Sequence, residues 1–155
     1  LLSASAPACV VAATLRAVCN GWCTARRFQQ RSRCLLGCLA GEDSIEHYCQ
    51  CSVYPRFSRA LGLRVPDTDR RLGVFLALDP GPPRGNADRG DGTRETQALR
   101  ALSVYATYKV HLDGRHKPLP PSEAPDALHM YAYQGARRHP FLAKLVPRTR
   151  GASSR

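Results

Sequence analysis

Four residues in the first third of the chain have the side chains and the spacing of a zinc site. They are Cys34, Cys38, His47 and Cys51, in the pattern C-x3-C-x8-H-x3-C. Three thiolates and one imidazole can complete a tetrahedral shell around Zn²⁺, and such a closed shell leaves no coordination position for a substrate. The pattern therefore predicts a structural zinc ion rather than a catalytic one.

The spacing of these residues also indicates how the chain would present them. The first pair can close a tight knuckle, in which Gly37 eases the turn. His47 and Cys51 are one helical turn apart, so they would face the same side of a helix. Cys49 is a competing fourth ligand, and the pattern leaves the choice between Cys49 and Cys51 open.

Two other uses of the cysteines compete with metal binding. The seven cysteines among 155 residues could be buried as small apolar side chains, or joined as disulfides in a secreted protein. Their odd number and the lack of an evident secretory signal count against a disulfide framework. Cys19 and Cys23 could bind a second metal, but we predict core packing for them because they lack two further partners.

The charge of the chain favours an anionic partner. Its 23 lysines and arginines and 12 acidic residues give a net charge of +11. Most of the basic residues are arginines, which form bidentate contacts with phosphate, and such a basic domain is typical of nucleic-acid binding. The arginines are also spread along the chain, as ordinary surface solvation would place them. The predicted contacts to an RNA or DNA backbone are those that lead into the knuckle: Arg26, Arg27, Arg31 and Arg33.

The sequence also bears on location. No apolar run approaches the ~18 residues of a membrane helix, so we predict no membrane span. The chain begins with Leu1 rather than methionine, so we expect a fragment or a processed product. No acidic residue precedes Glu42, which is also typical of an organelle-targeting segment. Because cysteines beside a histidine suit a reducing compartment, we expect an intracellular protein, with the nucleus favoured and an organelle as the alternative.

The elements around the ligands have mostly helical signals. Pro7 begins a predicted helix that ends before Gly21, and Thr24 can cap a short second helix. Asp43 or Ser44 can cap the helix of the second ligand pair. These signals place the knuckle between helices.

Further helices are predicted after the ligands, whereas strand signals are few. The stretch over residues 67–78 could be a helix or a buried strand, because short apolar runs are ambiguous by period alone. The other predicted helices run from Pro55 to about Gly62, over residues 94–112, and from Ser122 to Ala136. We therefore predict a mainly α fold: a small zinc-knuckle helical module followed by a linker and two or three further helices.

Composition divides the chain into four predicted segments. A zinc-binding helical module covers residues 7–78, and a Pro/Gly-rich linker covers residues 79–92. A helical extension follows over residues 93–146, and a basic mobile tail over residues 147–155.

Other residues have simpler predicted roles. Trp22 is a core anchor, and the tyrosines on the C-terminal helices, including Tyr105, serve helix packing. His111 and three further histidines are too dispersed in the sequence to predict a site.

Several motifs around the ligands occur in a fixed order. The run from Leu15 to Phe28 combines a helix, a small turn and the sequence Thr-x-x-Arg-apolar, and the run from Asp43 to Tyr48 reads acidic-small-x-x-His-aromatic. With the ligand pattern, these motifs resemble the zinc-binding region downstream of the polymerase domain in non-LTR retrotransposon reverse transcriptases. They are especially similar to versions in dinoflagellate retroelement-derived proteins. The first ligand pair has one more intervening residue than the family usually has.

The resemblance implies an RNA-directed DNA polymerase as the parent protein. A polymerase needs clustered carboxylates that hold two magnesium ions. The nearest pair here, Asp67 and Asp69, is better explained by helix capping, and no Tyr-x-Asp-Asp element occurs. We therefore predict that the chain is not an enzyme but a noncatalytic, zinc-stabilised basic module that contacts RNA or DNA backbone. The alternative is a small structural subunit that packs its helices, mainly the C-terminal ones over residues 94–146, against protein partners in a larger assembly.

Overall fold

The computed structural model describes residues 4–30, 32–38, 40–63, 72–76, 78, 94–115 and 119–146. Over these residues the fold is mainly α with no regular strand, as the sequence predicted. Several predicted features lie outside the described residues: the linker over residues 79–92, the tail over residues 147–155, and Asp67 with Asp69. The boundaries of the four predicted segments therefore stay a prediction. The helices are α1 (Ala8–Val18), α2 (Ile45–Gln50), α3 (Tyr54–Ala60), α4 (Leu72–Phe75), α5 (Arg94–Gly114), α6 (Ala124–Ala136) and α7 (Pro140–Leu145), and a 3₁₀ turn covers Arg26–Phe28.

Local sequence signals explain where several helices begin. Pro7 is the residue before α1, as predicted. Ser44 caps α2, because its hydroxyl accepts the His47 N–H at 3.1 Å. The short helix predicted after Thr24 is only the 3₁₀ turn. The sequence reasoning missed α7, although Pro140 at its first position is the residue type that favours a helix start.

The long helix α5 is central to the described core. Both α1 and α6 pack along it, and Leu102 and Ala106 of α5 are completely buried. The contact with α6 is close, since a Cβ atom on Gly135 would lie 2.8 Å from the Tyr105 ring. Although α5 has 21 residues, neither it nor another described helix is apolar enough to cross a bilayer.

The knuckle packs against the C-terminal half of the chain. The Leu119 N–H donates to the carbonyl oxygen of Leu35 at 3.4 Å. Gly37 has a φ of +77°, and a Cβ atom there would lie 2.8 Å from the nitrogen of Pro121. The knuckle is therefore part of the same packed body as α5 and the segment that follows it.

Candidate metal centre

Backbone hydrogen bonds close the loop that holds the first ligand pair. Arg33 and Glu42 form an isolated antiparallel bridge, and the Cys34 N–H donates to the carbonyl oxygen of Gly41 at 3.0 Å. Within the loop, the Gly37 N–H donates to the carbonyl oxygen of Cys34 at 3.0 Å. The positive φ of Gly37 is one that glycine adopts without a steric penalty. The predicted knuckle is therefore present.

Helix α2 positions the second ligand pair. His47 lies in its first turn, where Ser44 fixes the backbone. Cys51 is the C-cap residue, and its N–H reaches the carbonyl oxygen of Tyr48 at 3.4 Å. The predicted one-turn relation between His47 and Cys51 thus holds, with Cys51 just beyond the end of the helix rather than inside it.

The four potential ligand atoms converge on one point. The sulfurs of Cys34, Cys38 and Cys51 and a ring nitrogen of His47 all lie within 4.8 Å of one another, so they could hold a metal ion. The two sulfurs of Cys34 and Cys51 are 3.8 Å apart. A tetrahedron with Zn–S bonds of 2.3 Å has sulfur–sulfur edges of about 3.8 Å. These two sulfurs are therefore already separated as metal-bound thiolates would be.

The edge between Cys38 and His47 is shorter. The Cys38 sulfur lies 3.0 Å from Nε2 of His47, whereas a zinc-bound sulfur and nitrogen would be about 3.5 Å apart. Metal binding would separate these two atoms by about half an ångström. These two edges are therefore close to tetrahedral values, whereas atoms separated by up to 4.8 Å would have to approach by about 1 Å.

The electrostatics of the cluster favour a cation. All three cysteines are buried and His47 is half-buried. The hydrogen bond to Cys51 and burial raise the pKa of Cys34, and burial raises the pKa of Cys38. The hydrogen bond from Cys34 lowers the pKa of Cys51 to about 5. Cys51 is therefore the most acidic of the three thiols, and a divalent cation at this point would favour the thiolate form of all three.

The remaining cysteines lie outside this cluster. The Cys49 thiol donates to the carbonyl oxygen of Glu46 at 2.9 Å, and burial raises its pKa to about 11. The structure thus groups Cys51, not Cys49, with the other three ligands. The core packing predicted for Cys19 and Cys23 is wrong, because both are exposed and Trp22 between them fills the core instead. All seven cysteines are free thiols.

A buried polar network lies beside the cluster. Tyr48 donates its hydroxyl to the carboxylate of Asp43, which also accepts the Ala25 N–H at 2.7 Å and lies 3.4 Å from Nδ1 of His111. Burial would raise the pKa of Asp43, but the hydrogen bonds from His111 and Tyr48 outweigh it and lower that pKa. The Trp22 ring stacks on His111, with 5.8 Å between ring centroids. The network joins α2 to α5.

Two residues of this region were not predicted from the sequence. A Cβ atom on Gly41 would lie less than 3.0 Å from three ring atoms of His47, so the absence of a side chain there is what admits the imidazole. A glycine that ends a knuckle was the available signal. His111 is far in sequence from the other histidines, but it follows Val104 and Thr107 at helical spacing on the buried face of α5.

Two of the four predicted nucleic-acid contacts have described side chains. Arg27 and Arg33 are both exposed, whereas Arg31 and the side chain of Arg26 lie outside the described residues. The guanidinium of Arg27 lies 5.9 Å from the ring centroid of Phe28, which is itself 56% exposed. Glu42 is the bridge partner of Arg33, so its carboxylate offsets part of the positive charge there.

Comparisons with known proteins identified no relative of the chain. No protein-family model matches the chain, and searches of curated proteins and of solved structures gave no significant match. The resemblance to the zinc-binding region of retrotransposon reverse transcriptases therefore rests on the motif residues alone.

Proposed function

We propose that the chain is a zinc-stabilised, noncatalytic module that contacts the backbone of RNA or DNA. The convergence of Cys34, Cys38, His47 and Cys51 is the observation that carries the proposal. Thiolate and imidazole ligands suit Zn²⁺, and four protein ligands complete its shell. The ion would therefore serve the fold rather than a reaction.

The zinc ion would join two pieces of backbone, the knuckle and α2. One pair of ligands lies in the knuckle closed by Gly41, and the other lies on α2 and at its C-cap. Structural zinc contributes ~10–16 kcal/mol of apparent folding free energy in small zinc-dependent peptides. An ion of that strength would fix the knuckle against α2 and hold the preceding arginines in place.

The nucleic-acid part of the proposal is supported by charge and exposure. The net charge is +11, and Arg27 and Arg33 are exposed on the segment that enters the knuckle. Phe28 exposes its ring beside Arg27. Proteins that bind single-stranded nucleic acids use exposed aromatic rings, together with arginines, as surfaces on which the bases stack. Contacts of this kind are mainly to phosphate and weaken as salt rises. The proposal retains a retroelement reverse transcriptase as the parent and an intracellular, nuclear location.

Metal analysis tests the zinc part of the proposal. The purified chain should hold about one zinc ion. Replacing each of Cys34, Cys38 and Cys51 by serine, or His47 by alanine, should abolish stoichiometric binding, whereas the neighbouring Cys49→Ser should keep it. Zinc that remains in all four variants, or that is lost in Cys49→Ser alone, would overturn the assignment.

Charge reversal tests the nucleic-acid part. Arg27→Glu and Arg33→Glu should weaken binding of a labelled oligonucleotide in an anisotropy titration, and each should reduce the salt slope by roughly one. Arg56→Glu on α3 is the matched control, because Arg56 is exposed and the charge change is identical. Equal losses in all three variants would show that only net charge matters and would refute a contact surface at the knuckle.

A further inference from the structure

The outward side of α1 is apolar along its length. The helix buries Val10, Ala13, Thr14 and Ala17 against the core. On the opposite side lies a row that we name the outer stripe, made of Ala8, Val11, Ala12, Leu15, Val18 and Cys19. These positions recur every three or four residues, so they form one face. All are exposed except the half-buried Val11.

The outer stripe is unusual for a surface helix. Such a helix normally has one apolar face and one polar face. In α1 the sole charged residue is Arg16, while Leu15 and Val18 are 58% and 40% exposed. Contiguous exposed apolar side chains mark a contact surface for another protein or for a membrane. The outer stripe is therefore a candidate interface that the knuckle does not use.

One edge of the outer stripe is basic. Cys9 and Arg16 are seven positions apart and lie on the same side of α1. Arg138 places its guanidinium 3.8 Å from the Cys9 sulfur, and Arg16 donates to the Tyr108 hydroxyl at 2.8 Å. No acidic residue occurs in the chain before Glu42. Two arginines therefore border the stripe along this edge.

We propose that the outer stripe binds an amphipathic helix of a partner protein whose apolar face is bordered by glutamate or aspartate. Charge complementarity argues for this occupant. It also argues against a second copy, which would bring a further net charge of +11 and the same arginine edge. The inference is independent of zinc and of nucleic acid.

The packing of the other long helices places this interface on α1. The sequence-based alternative of a structural subunit assigned partner contacts to the C-terminal helices. In the structure α5 and α6 bury their stripes against each other, including Leu102 and Leu128. Among the described helices, the outer stripe of α1 is the apolar face that we assign to a partner.

A pair of designed peptides tests the proposal with the full chain. One is a helical peptide with a leucine stripe flanked by glutamates, and the other is identical except that lysines replace the glutamates. The chain should bind the glutamate peptide at least about tenfold more tightly. Leu15→Glu should weaken that binding by about tenfold or more, since the charge would enter the apolar contact. Met130→Glu, at an exposed apolar residue of α6, is the matched control and should bind normally.

Several results would overturn the proposal. Equal binding of both peptides would remove the role of charge. A dimer in sedimentation that Leu15→Glu dissociates would identify a second copy as the occupant. Binding to phosphatidylglycerol vesicles that depends on Leu15, without peptide binding, would identify a lipid surface. A large loss of thermal stability in Leu15→Glu, again without peptide binding, would mean that a segment of this chain such as residues 79–93 covers the stripe.

Discussion

Replacing Gly41 by alanine should damage the metal centre without touching a ligand. A Cβ atom at this position would lie less than 3.0 Å from three atoms of the His47 ring, closer than Cβ contacts in proteins. The Gly41 carbonyl is held by the Cys34 N–H, and Ser44 holds the His47 backbone. The imidazole must therefore move relative to the Cys38 sulfur.

The size of the effect follows from this displacement. Metal–ligand distances tolerate deviations of only about 0.2 Å, so a ring shifted by several tenths of an ångström is a poorer ligand. Changes that misorient a ligating histidine typically reduce metal affinity by about 10–100-fold. Forcing an extra methyl group into a packed site costs a further ~1–3 kcal/mol of stability. We expect Gly41→Ala to show both losses.

A chelator competition assay measures the zinc affinity, and thermal unfolding measures the stability. Gly114→Ala is the matched control, because a Cβ atom there would meet Leu35 at an ordinary distance of 3.7 Å. Alanine also favours a helix over glycine, so this variant should keep its zinc affinity and be at least as stable. Unchanged zinc affinity in Gly41→Ala would refute the ligand role of His47 in this geometry.

Three further predictions concern the buried core. The lowered pKa of Asp43 means that its carboxylate stabilises the fold above pH 3.8 and loses this effect as the pH falls through the folded-state pKa. In urea titrations, the difference in the free energy of unfolding between the unmodified chain and Asp43→Asn should therefore shrink below pH 3.8. A difference that stays constant with pH would contradict this prediction. Gly135→Ala should destabilise the protein by about 1–3 kcal/mol in the same assay, because a Cβ atom would lie 2.8 Å from the Tyr105 ring. An unchanged stability would mean that α5 and α6 can move apart without an energetic cost. Removal of zinc by a chelator should shift the fluorescence emission of Trp22, the sole tryptophan, to longer wavelength, because the contact of Trp22 with His111 would loosen. An unchanged emission spectrum after complete metal loss would show that the ion does not support this part of the core.

Local features of the fold were predictable from the sequence. The four ligands lie in one short run, so their types and spacing alone predict that they meet. The cap at Ser44 is equally local, since its hydroxyl reaches the N–H three residues later. The helix predicted over residues 94–112 is observed over Arg94–Gly114, because hydrophobic period and helix-ending signals also act over a few residues.

Contacts between distant parts of the chain were not predictable in this way. Tyr48 and His111 are 63 residues apart, and no local sequence pattern predicts that α2 and α5 are in contact. The orientation of α1 was ambiguous for a related reason. Both faces of this helix are apolar, so the sequence does not show which face packs against the core. The exposure of Cys19 follows from that choice, because it belongs to the outer stripe.

The position of Tyr48 connects the metal centre to the rest of the core. It directly follows His47 on α2, so one residue faces the ligand cluster while the next donates to Asp43 beside α5. Fixing His47 on a metal would also fix the backbone that carries Tyr48, and hence its hydroxyl in the buried network. Because a buried Asp43 left without that donor would incur a desolvation penalty, the same ion that closes the knuckle would also favour the packed position of α5. The candidate metal centre is therefore a part of the core and not an attachment to it.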